Sequence, residues 1–372
     1  MNDERRTSSV ELLWDLVFVF AVTQVTTLMA NDLTWTGFGH GLLVLALVWW
    51  AWSAYVWAAN AEQETSRELR LVLLVGMVFV LVAGLCLPEA FGDRATLFAC
   101  AYAAVRLLHL AIYAHASWQG HASWSAIAGF AVTVVIGMTL LIIGSFLEEG
   151  PRAVLWTAAV AIDYAGPAWL TRERLRGLQQ VAVAHFAERY GLFVIICLGE
   201  SIVAIGLSAN DQTLDADLVA AVALGLVAAI GLWWTYFDRL ADMAEEGLRT
   251  HRDPVLAAAD GYSYLHLLLV AGIIVFAVGI KVTIHDVGHE LPDAGRLAVF
   301  GGAALYLVGC AAFGLRLARV VSTAKLVGAA ALLVLLALSS GLSGTAILAL
   351  TALVLAAVCA VETLRPTTTR AA

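Results

Sequence analysis

Glu200 is the residue that most clearly predicts chemistry, because it lies deep in the apolar stretch HFAERYGLFVIICLGESIVAIG (residues 185–206). It follows Arg189 by eleven residues. That separation is about 16 Å along a helix, near the middle of a bilayer core about 30 Å thick. An ionised side chain there costs about 2.5–3.5 kcal/mol, so it must face the protein interior or water, or be protonated. With Ser201 beside it, Glu200 predicts a site for a small cation, a proton or a small polar solute; a hydrogen-bonded carboxyl that only joins helices is the alternative.

A second group of charges lies near the starts of two apolar segments. Glu11 and Asp15 are four residues apart and therefore share one helix face. Glu188 occupies the corresponding place in the later segment, and Arg189 next to it is a candidate counter-ion. These residues predict either an ion-pair network that joins two helices or an acidic cytoplasmic vestibule leading to Glu200.

A third candidate group contains Arg106 and His109, which are three residues apart and share a helix face. An arginine inside a membrane segment needs a partner. Asp163 is the carboxylate of the same half that is best placed to pair with Arg106. We interpret this group as a structural pair.

Composition places the chain in the membrane class and excludes several others. Of the 372 residues, 61% are hydrophobic and only 13% are charged, against about a quarter charged in soluble domains. The net charge of −8, without a basic cluster, predicts no nucleic-acid partner. The five cysteines lie in apolar runs without a C-x-x-C pair, and no G-x-S-x-G, P-loop or H-E-x-x-H motif occurs. We therefore expect a lipid bilayer as the surroundings, and neither a metal nor a cofactor.

The elements that would position these residues are twelve apolar runs, each long enough to cross a bilayer as a helix. They cover residues 11–29, 38–59, 70–87, 95–114, 126–147, 153–170, 188–208, 217–237, 262–283, 296–314, 324–341 and 344–362. With the N-terminus inside, sixteen of the 21 Lys and Arg residues fall in cytoplasmic segments and three in outer loops. This pattern predicts an all-α integral membrane protein of about 12 transmembrane helices with both termini cytoplasmic.

An internal repeat relates the two halves of the chain. VELLWDLVFVFAVTQ (10–24) aligns with AERYGLFVIICLGES (187–201), and weaker similarity continues through the next two spans. Six crossings return the chain to the side of the membrane on which it started. Two consecutive six-helix copies therefore have the same orientation in the membrane. We predict two parallel six-helix repeats, 1–180 and 181–372, in one membrane domain, with the Arg-rich residues 171–180 as the joint.

The repeat also predicts the surroundings of Glu200. It aligns Thr23 and Gln24 with Glu200 and Ser201. If the two halves face each other, an amide and hydroxyl groups would line the path beside a single carboxylate near the middle of the membrane.

The two segments carry a family resemblance. Residues 10–19 resemble the signature L-E-L-F-x-D-L-V-F-V, and residues 185–201 resemble H-x-x-E-R-x-G-L-F-x-I-I-x-L-G-E-S, of the low temperature requirement protein A family of bacterial membrane proteins. Order, spacing and length fit over essentially the whole chain. The resemblance implies a multi-pass protein of the bacterial cytoplasmic membrane, and the family name records a growth phenotype rather than a reaction. A looser similarity of residues 188–193 to two-repeat potassium channels with R-x-x-x-F-S-D favours pore architecture.

Three functions follow from these observations. The first is a channel or transporter for a small cation, a proton or a polar solute. The second is a membrane-embedded enzyme acting on a lipid or isoprenoid, with Glu200 or Asp15 as acid or base. The third is a structural or stress-response protein without flux. Short loops and the lack of a nucleophile–base or metal constellation make a catalytic role the weaker hypothesis, and no oligomeric state is predicted.

Overall fold

The chain folds into helices throughout the part that the computed structural model describes, which comprises residues 7–61, 67–118, 124–167, 181–210 and 212–364. Within these ranges the extended backbone pairing is limited to an isolated antiparallel bridge between Glu290 and Ser343. The helices are α1 (Ser9–Asn31), α2 (Trp35–Ala61), α3 (Arg67–Cys86), α4 (Ala95–Trp118), α5 (Trp124–Ser145), α6 (Glu149–Ala165), α7 (Val183–Ala209), α8 (Ala216–Phe237), α9 (Leu240–Arg249), α10 (Pro254–Ala258), α11 (His266–His285), α12 (Asp293–Arg296), α13 (Gly302–Leu317), α14 (Thr323–Leu338) and α15 (Gly344–Leu364). Two π-helical turns, Ala259–Leu265 and Leu297–Gly301, and a 3₁₀ turn, Leu87–Glu89, connect some of them.

Length and apolarity allow nine helical segments of the described chain to cross a membrane. They are Ser9–Asn31, Trp35–Asn60, Arg67–Glu89, Ala95–His115, Val183–Ala209, Ala216–Arg249, Pro254–His285, Asp293–Leu317 and Gly344–Leu364. Ala131–Ser145 and Thr323–Leu338 are shorter apolar helices. Each of the twelve predicted runs overlaps a helix, which makes the chain a multi-pass, membrane-type helical protein. Twelve crossings with two cytoplasmic ends stay a prediction.

The helices group into two compact units. The first unit comprises Met1–Ile196 and Leu248–Leu267, and the second comprises Cys197–Gly247 and Leu268–Ala372. This division reflects the spatial compactness of the helices. The predicted division between residues 180 and 181 is based on the internal repeat, and it stays a prediction. The predicted joint, residues 171–180, lies outside the described residues.

In the first unit α1 packs against α2 and α3, and a series of neighbouring pairs continues from α3 through α4 and α5 to α6. Glycine allows one of these contacts to be close. A Cβ atom at Gly76 on α3 would lie 2.9 Å from Cζ3 of Trp14 on α1, so a side chain there would displace the indole. The sequence places Glu11 and Asp15 on this same central helix, α1.

The second unit contains an even closer approach of two backbones. A Cβ atom at Gly272 on α11 would lie 2.5 Å from the backbone nitrogen of Tyr306, and one at Gly302 would lie 2.5 Å from that of Phe276. Small residues at helix contacts permit such packing in membrane proteins. α8 packs against α13 and α15, and α14 packs against both of those helices.

Candidate functional site

Arg189 on α7 forms a two-point ion pair with Asp15 on α1. Its Nη2 lies 2.6 Å from Asp15 Oδ1 and its Nε lies 3.1 Å from Oδ2. Its Nη1 lies 3.3 Å from Glu11 Oε1. Each of these three side chains is only 1% exposed. The guanidinium group therefore balances buried carboxylate charge, which would be costly without a partner.

His185 extends this group by one residue. Its Nε2 lies 3.3 Å from Glu11 Oε1, and its Nδ1 lies 3.3 Å from Nδ2 of Asn60 on α2. Trp52, also on α2, donates its indole N–H to Asp15 Oδ1 at 2.7 Å. We call Glu11, Asp15, His185 and Arg189 the charged cluster.

The sequence builds the charged cluster from two pairs with the same spacing. Glu11 and Asp15 are four residues apart on α1, and His185 and Arg189 are four apart on α7. Residues at this spacing lie one above the other on a helix face, so two such faces can meet along one turn. Within the described residues, no three His, Cys, Asp or Glu side chains are grouped so that they could hold a metal ion.

Glu188 has a different environment from its neighbour. It is exposed, and its Oε2 accepts hydrogen bonds from the hydroxyl of Thr7 at 2.8 Å and from the backbone N–H of Thr7 at 3.3 Å. Arg189, the candidate counter-ion, pairs with Glu11 and Asp15 rather than with Glu188. Adjacent helical residues point in different directions, so this outcome follows from helix geometry.

A group of three buried hydroxyls lies in the same unit. The Tyr190 hydroxyl is 2.6 Å from Ser53 Oγ and 3.2 Å from Ser263 Oγ, and Ser53 Oγ is 3.1 Å from Ser263 Oγ. Trp57 donates to Ser263 Oγ and Trp49 donates to the Ser263 carbonyl, each at 2.7 Å. Ser263 lies in the π-helical turn Ala259–Leu265, a type of distortion that is frequent at functional sites.

Glu200 and Ser201 lie in the second unit, on the later part of α7. Glu200 is 4% exposed and Ser201 is fully buried. The Ser201 hydroxyl has no hydrogen-bond partner among the described residues. Ile202 and Val203 on the adjoining face are exposed. One side of α7 thus buries polar groups and the other presents apolar side chains.

Thr23 and Gln24 are half-buried on α1, in the first unit. The carbonyl of Thr23 accepts a hydrogen bond from the Thr27 hydroxyl at 3.0 Å. Their predicted position beside Glu200 and Ser201 stays a prediction of the repeat.

A family model of the bacterial low temperature requirement A protein (LtrA) matches residues 6–360. The chain belongs to the LtrA family. It is also similar to an uncharacterized protein of Rhizobium meliloti (strain 1021), with 30% identity over 318 residues, which is 83% of this chain and 77% of that relative. No solved structure matches the chain.

In this LtrA chain the two segments that carry the family resemblance meet in the charged cluster. Glu11 and Asp15 come from the first segment, and His185 and Arg189 come from the second. The sequence pattern by itself indicates no role for His185. The signal that would have found it is its four-residue spacing from Arg189, which repeats that of Glu11 and Asp15.

The structure also brings Arg106 and Asp163 together. Arg106 Nη2 lies 2.9 Å from both carboxylate oxygens of Asp163, and both residues are buried. The buried ring of His109, one turn along α4, packs against the rings of Tyr55 and Tyr113. The ion pair of Arg106 with Asp163 joins α4 to α6.

The tryptophans of α2 are the second set of residues that the sequence left unassigned. Trp49 and Trp52 are fully buried, and their indole N–H groups are donors to the Ser263 carbonyl and to Asp15. A buried indole needs such an acceptor. The four tryptophans of WWAWSAYVW, in a segment that also contains Ser53, were the available signal.

Proposed function

We propose that this LtrA protein is a channel or transporter that carries a small cation, a proton or a small polar solute across the bacterial cytoplasmic membrane, with Glu200 as its binding group. The burial of Glu200 next to Ser201 on α7 carries this proposal. An acidic group inside a membrane segment is costly to insert, and such groups mark ion and proton pathways.

The two polar groups on α7 complement each other chemically. A carboxylate accepts a proton or binds a cation, and a hydroxyl both donates and accepts. The Ser201 hydroxyl is buried without a hydrogen-bond partner among the described residues, which costs free energy. An ion or solute that passes Glu200 would have this hydroxyl as a further ligand.

The proposal includes the architecture that the sequence predicts. Twelve helices in two parallel six-helix repeats, with both termini cytoplasmic, would place Glu200 near the middle of the membrane. The charged cluster would then lie at the cytoplasmic ends of α1 and α7. Because Arg189 balances carboxylate charge in that cluster, the cytoplasmic entrance would be a compensated polar site rather than an uncompensated acidic one.

Flux into proteoliposomes tests the proposal. The purified full-length protein would be reconstituted and assayed with protons, a panel of monovalent cations and small neutral polar solutes. We expect the wild type to move at least one of them and Glu200→Gln, which keeps the size of the side chain, to move it at least about tenfold more slowly. Glu188→Gln is the matched control, because it removes an exposed carboxylate from the same helix.

Two results would overturn the proposal. One is a reconstituted wild type that moves none of these species. The other is equal flux through the wild type and Glu200→Gln. A loss of flux in Glu188→Gln as large as that in Glu200→Gln would show that the effect is not specific to the buried carboxylate.

A further inference from the structure

The loop between α13 and α14, residues 318–322, contains an unfavourable backbone conformation. Arg319 has a φ angle of 55°, and among the described residues it is the non-glycine residue with a positive φ. It follows Ala318, which caps the end of α13. Helices often end on a residue in this left-handed region, but that residue is usually glycine, because a Cβ atom makes the conformation unfavourable. An arginine at a position that favours glycine indicates a role for its side chain.

Both ends of this loop are held by hydrogen bonds. At the end of α13, the backbone N–H of Val320 donates to the carbonyl of Gly314 at 3.3 Å. At the start of α14, the Ser322 hydroxyl accepts from the backbone N–H of Lys325 at 3.2 Å and donates to Glu362 Oε1 at 2.6 Å. The residues between these contacts are therefore presented in a defined position.

The loop presents one positive charge beside two apolar side chains. Arg319 is exposed, and its guanidinium group forms no hydrogen bond or ion pair with the described residues. Val320 is 45% exposed and Val321 is 56% exposed. Lys325 differs from Arg319, because its Nζ lies 2.6 Å from both carboxylate oxygens of Glu362. Arg319 is thus the uncompensated cation at this end of α14.

Exposed tryptophans mark the same end of the second unit. Tyr236, in the last turn of α8, stacks on Phe313 of α13 with ring centroids 6.2 Å apart. The indole N–H of Trp234 donates to the Thr363 hydroxyl near the end of α15 at 3.2 Å. Trp233 is 41% exposed and Trp234 is 38% exposed. Exposed tryptophans near helix ends are typical of the membrane–water interface, so this end of the unit corresponds to the depth of the lipid headgroups.

We propose that the loop at residues 318–322 binds the headgroup of an anionic phospholipid. The Arg319 guanidinium donates to the phosphate oxygens, a geometry that suits arginine, and Val320 and Val321 contact the adjoining acyl chains. Anionic lipids of the cytoplasmic leaflet attract such cations, and the charge pattern predicts that this end of the unit is cytoplasmic. The two exposed valines favour a lipid over free phosphate, which has no apolar part. The proposal goes beyond the proposed transport function and does not depend on it.

Native mass spectrometry of the full-length protein tests this site. The protein would be released from mixed micelles that contain equal amounts of phosphatidylglycerol and phosphatidylcholine. We expect the wild type to retain mainly the anionic lipid, and Arg319→Gly to lower the ratio of bound phosphatidylglycerol to phosphatidylcholine about fivefold. Arg319→Lys keeps the charge and should keep most of this preference. An unchanged ratio in Arg319→Gly would overturn the proposal.

Glycine at position 319 also separates lipid binding from folding. Glycine adopts a φ of 55° without steric cost, so the melting temperature of Arg319→Gly in detergent should equal or exceed that of the wild type. Arg252→Gly, which removes an exposed arginine from the first unit, is the matched control and should leave the lipid ratio unchanged. An equal loss of anionic lipid in both variants would show general charge attraction and would overturn the site.

The identity of the occupant needs two further measurements. The double change Val320→Ser with Val321→Ser keeps the charge and should reduce the amount of retained lipid; full retention would contradict a lipid as the occupant. Excess inorganic phosphate should leave the bound lipid in place, and displacement would instead assign a site for free phosphate. The same spectra report oligomeric state. A lipid-free dimer that disappears in the double valine variant would assign this surface to a second copy of the chain and would overturn the proposal.

Discussion

Arg189 and Asp15 are 174 residues apart in the chain, yet they form a two-point ion pair that is almost completely buried. The pair joins α7 to α1 within the first unit. Because Trp52 donates to the same carboxylate from α2, one aspartate connects three helices. Breaking this contact should affect the whole unit rather than one helix end.

Arg189→Gln should strongly destabilise the protein, because it leaves Glu11 and Asp15 buried without their guanidinium partner. Removal of one member of a buried ion pair costs about 3–5 kcal/mol. Asp15→Asn should reduce the free energy of unfolding by less. Arg189 still pairs with Glu11, and the amide oxygen at position 15 can still accept the hydrogen bond from Trp52. Melting temperatures in detergent should fall in the order wild type, Asp15→Asn, Arg189→Gln. Equal melting of Arg189→Gln and the wild type would show that the pair does not stabilise the fold.

Glu188→Gln should leave stability nearly unchanged, within about 0.5 kcal/mol, although Glu188 is adjacent to Arg189. The side chain is exposed, and a neutral amide oxygen can still accept from the Thr7 hydroxyl. The same melting experiment measures the change. A large loss of stability would instead indicate that Glu188 contributes to the buried network.

Hydrophobic patterning predicted the helices well, because apolar length is a strong local signal. Each predicted run, such as 11–29 or 344–362, overlaps an observed helix. The π-helical turn Ala259–Leu265 was not predicted. A π-helical turn has about one residue more per turn than an α-helix. The hydrophobic pattern of these residues does not distinguish the two, so the distortion depends on tertiary packing.

Partners across the fold were harder to predict than the residues themselves. The residue pattern pointed to Glu11, Asp15 and Arg189 as members of an ion-pair network that joins two helices, but it did not indicate which carboxylate Arg189 pairs with. The contacts of Asn60 with Ala182 and His185 bring together segments more than a hundred residues apart. No local spacing predicts such contacts, whereas the four-residue pairs on each helix were visible in the sequence.

The pair of Arg106 and Asp163 should behave as a structural contact. Arg106→Met alone should destabilise the protein by about 3–5 kcal/mol, because Asp163 remains buried. The double change Arg106→Met with Asp163→Leu should recover most of this loss, since a buried ion pair can be replaced by apolar groups of similar volume. Melting temperatures of the two single variants and the double variant form the required cycle. Full additivity would mean that the two residues do not interact.

Gly272→Ala should destabilise the second unit through its backbone contact. The new methyl group would lie 2.5 Å from the backbone nitrogen of Tyr306 and 2.8 Å from the carbonyl oxygen of Gly302, neither of which can rotate away. Overpacking of this kind costs about 1–3 kcal/mol. Gly39→Ala is the control, because no atom lies within 4 Å of its added methyl. Thermal melting should separate the two variants, and equal melting would contradict the close approach of α11 and α13.

Ser201→Ala separates a structural role from a functional one. The hydroxyl is buried and has no hydrogen-bond partner among the described residues, so its removal should leave stability unchanged or raise it by up to about 1–3 kcal/mol. If the hydroxyl is a ligand on the path of the transported species, flux should fall even though the fold is intact. Flux and melting temperature should therefore be measured on the same preparation, with Ser208→Ala, at a half-buried position later on α7, as the control. A less stable Ser201→Ala protein with unchanged flux would assign the hydroxyl to packing and would remove it from the proposed path.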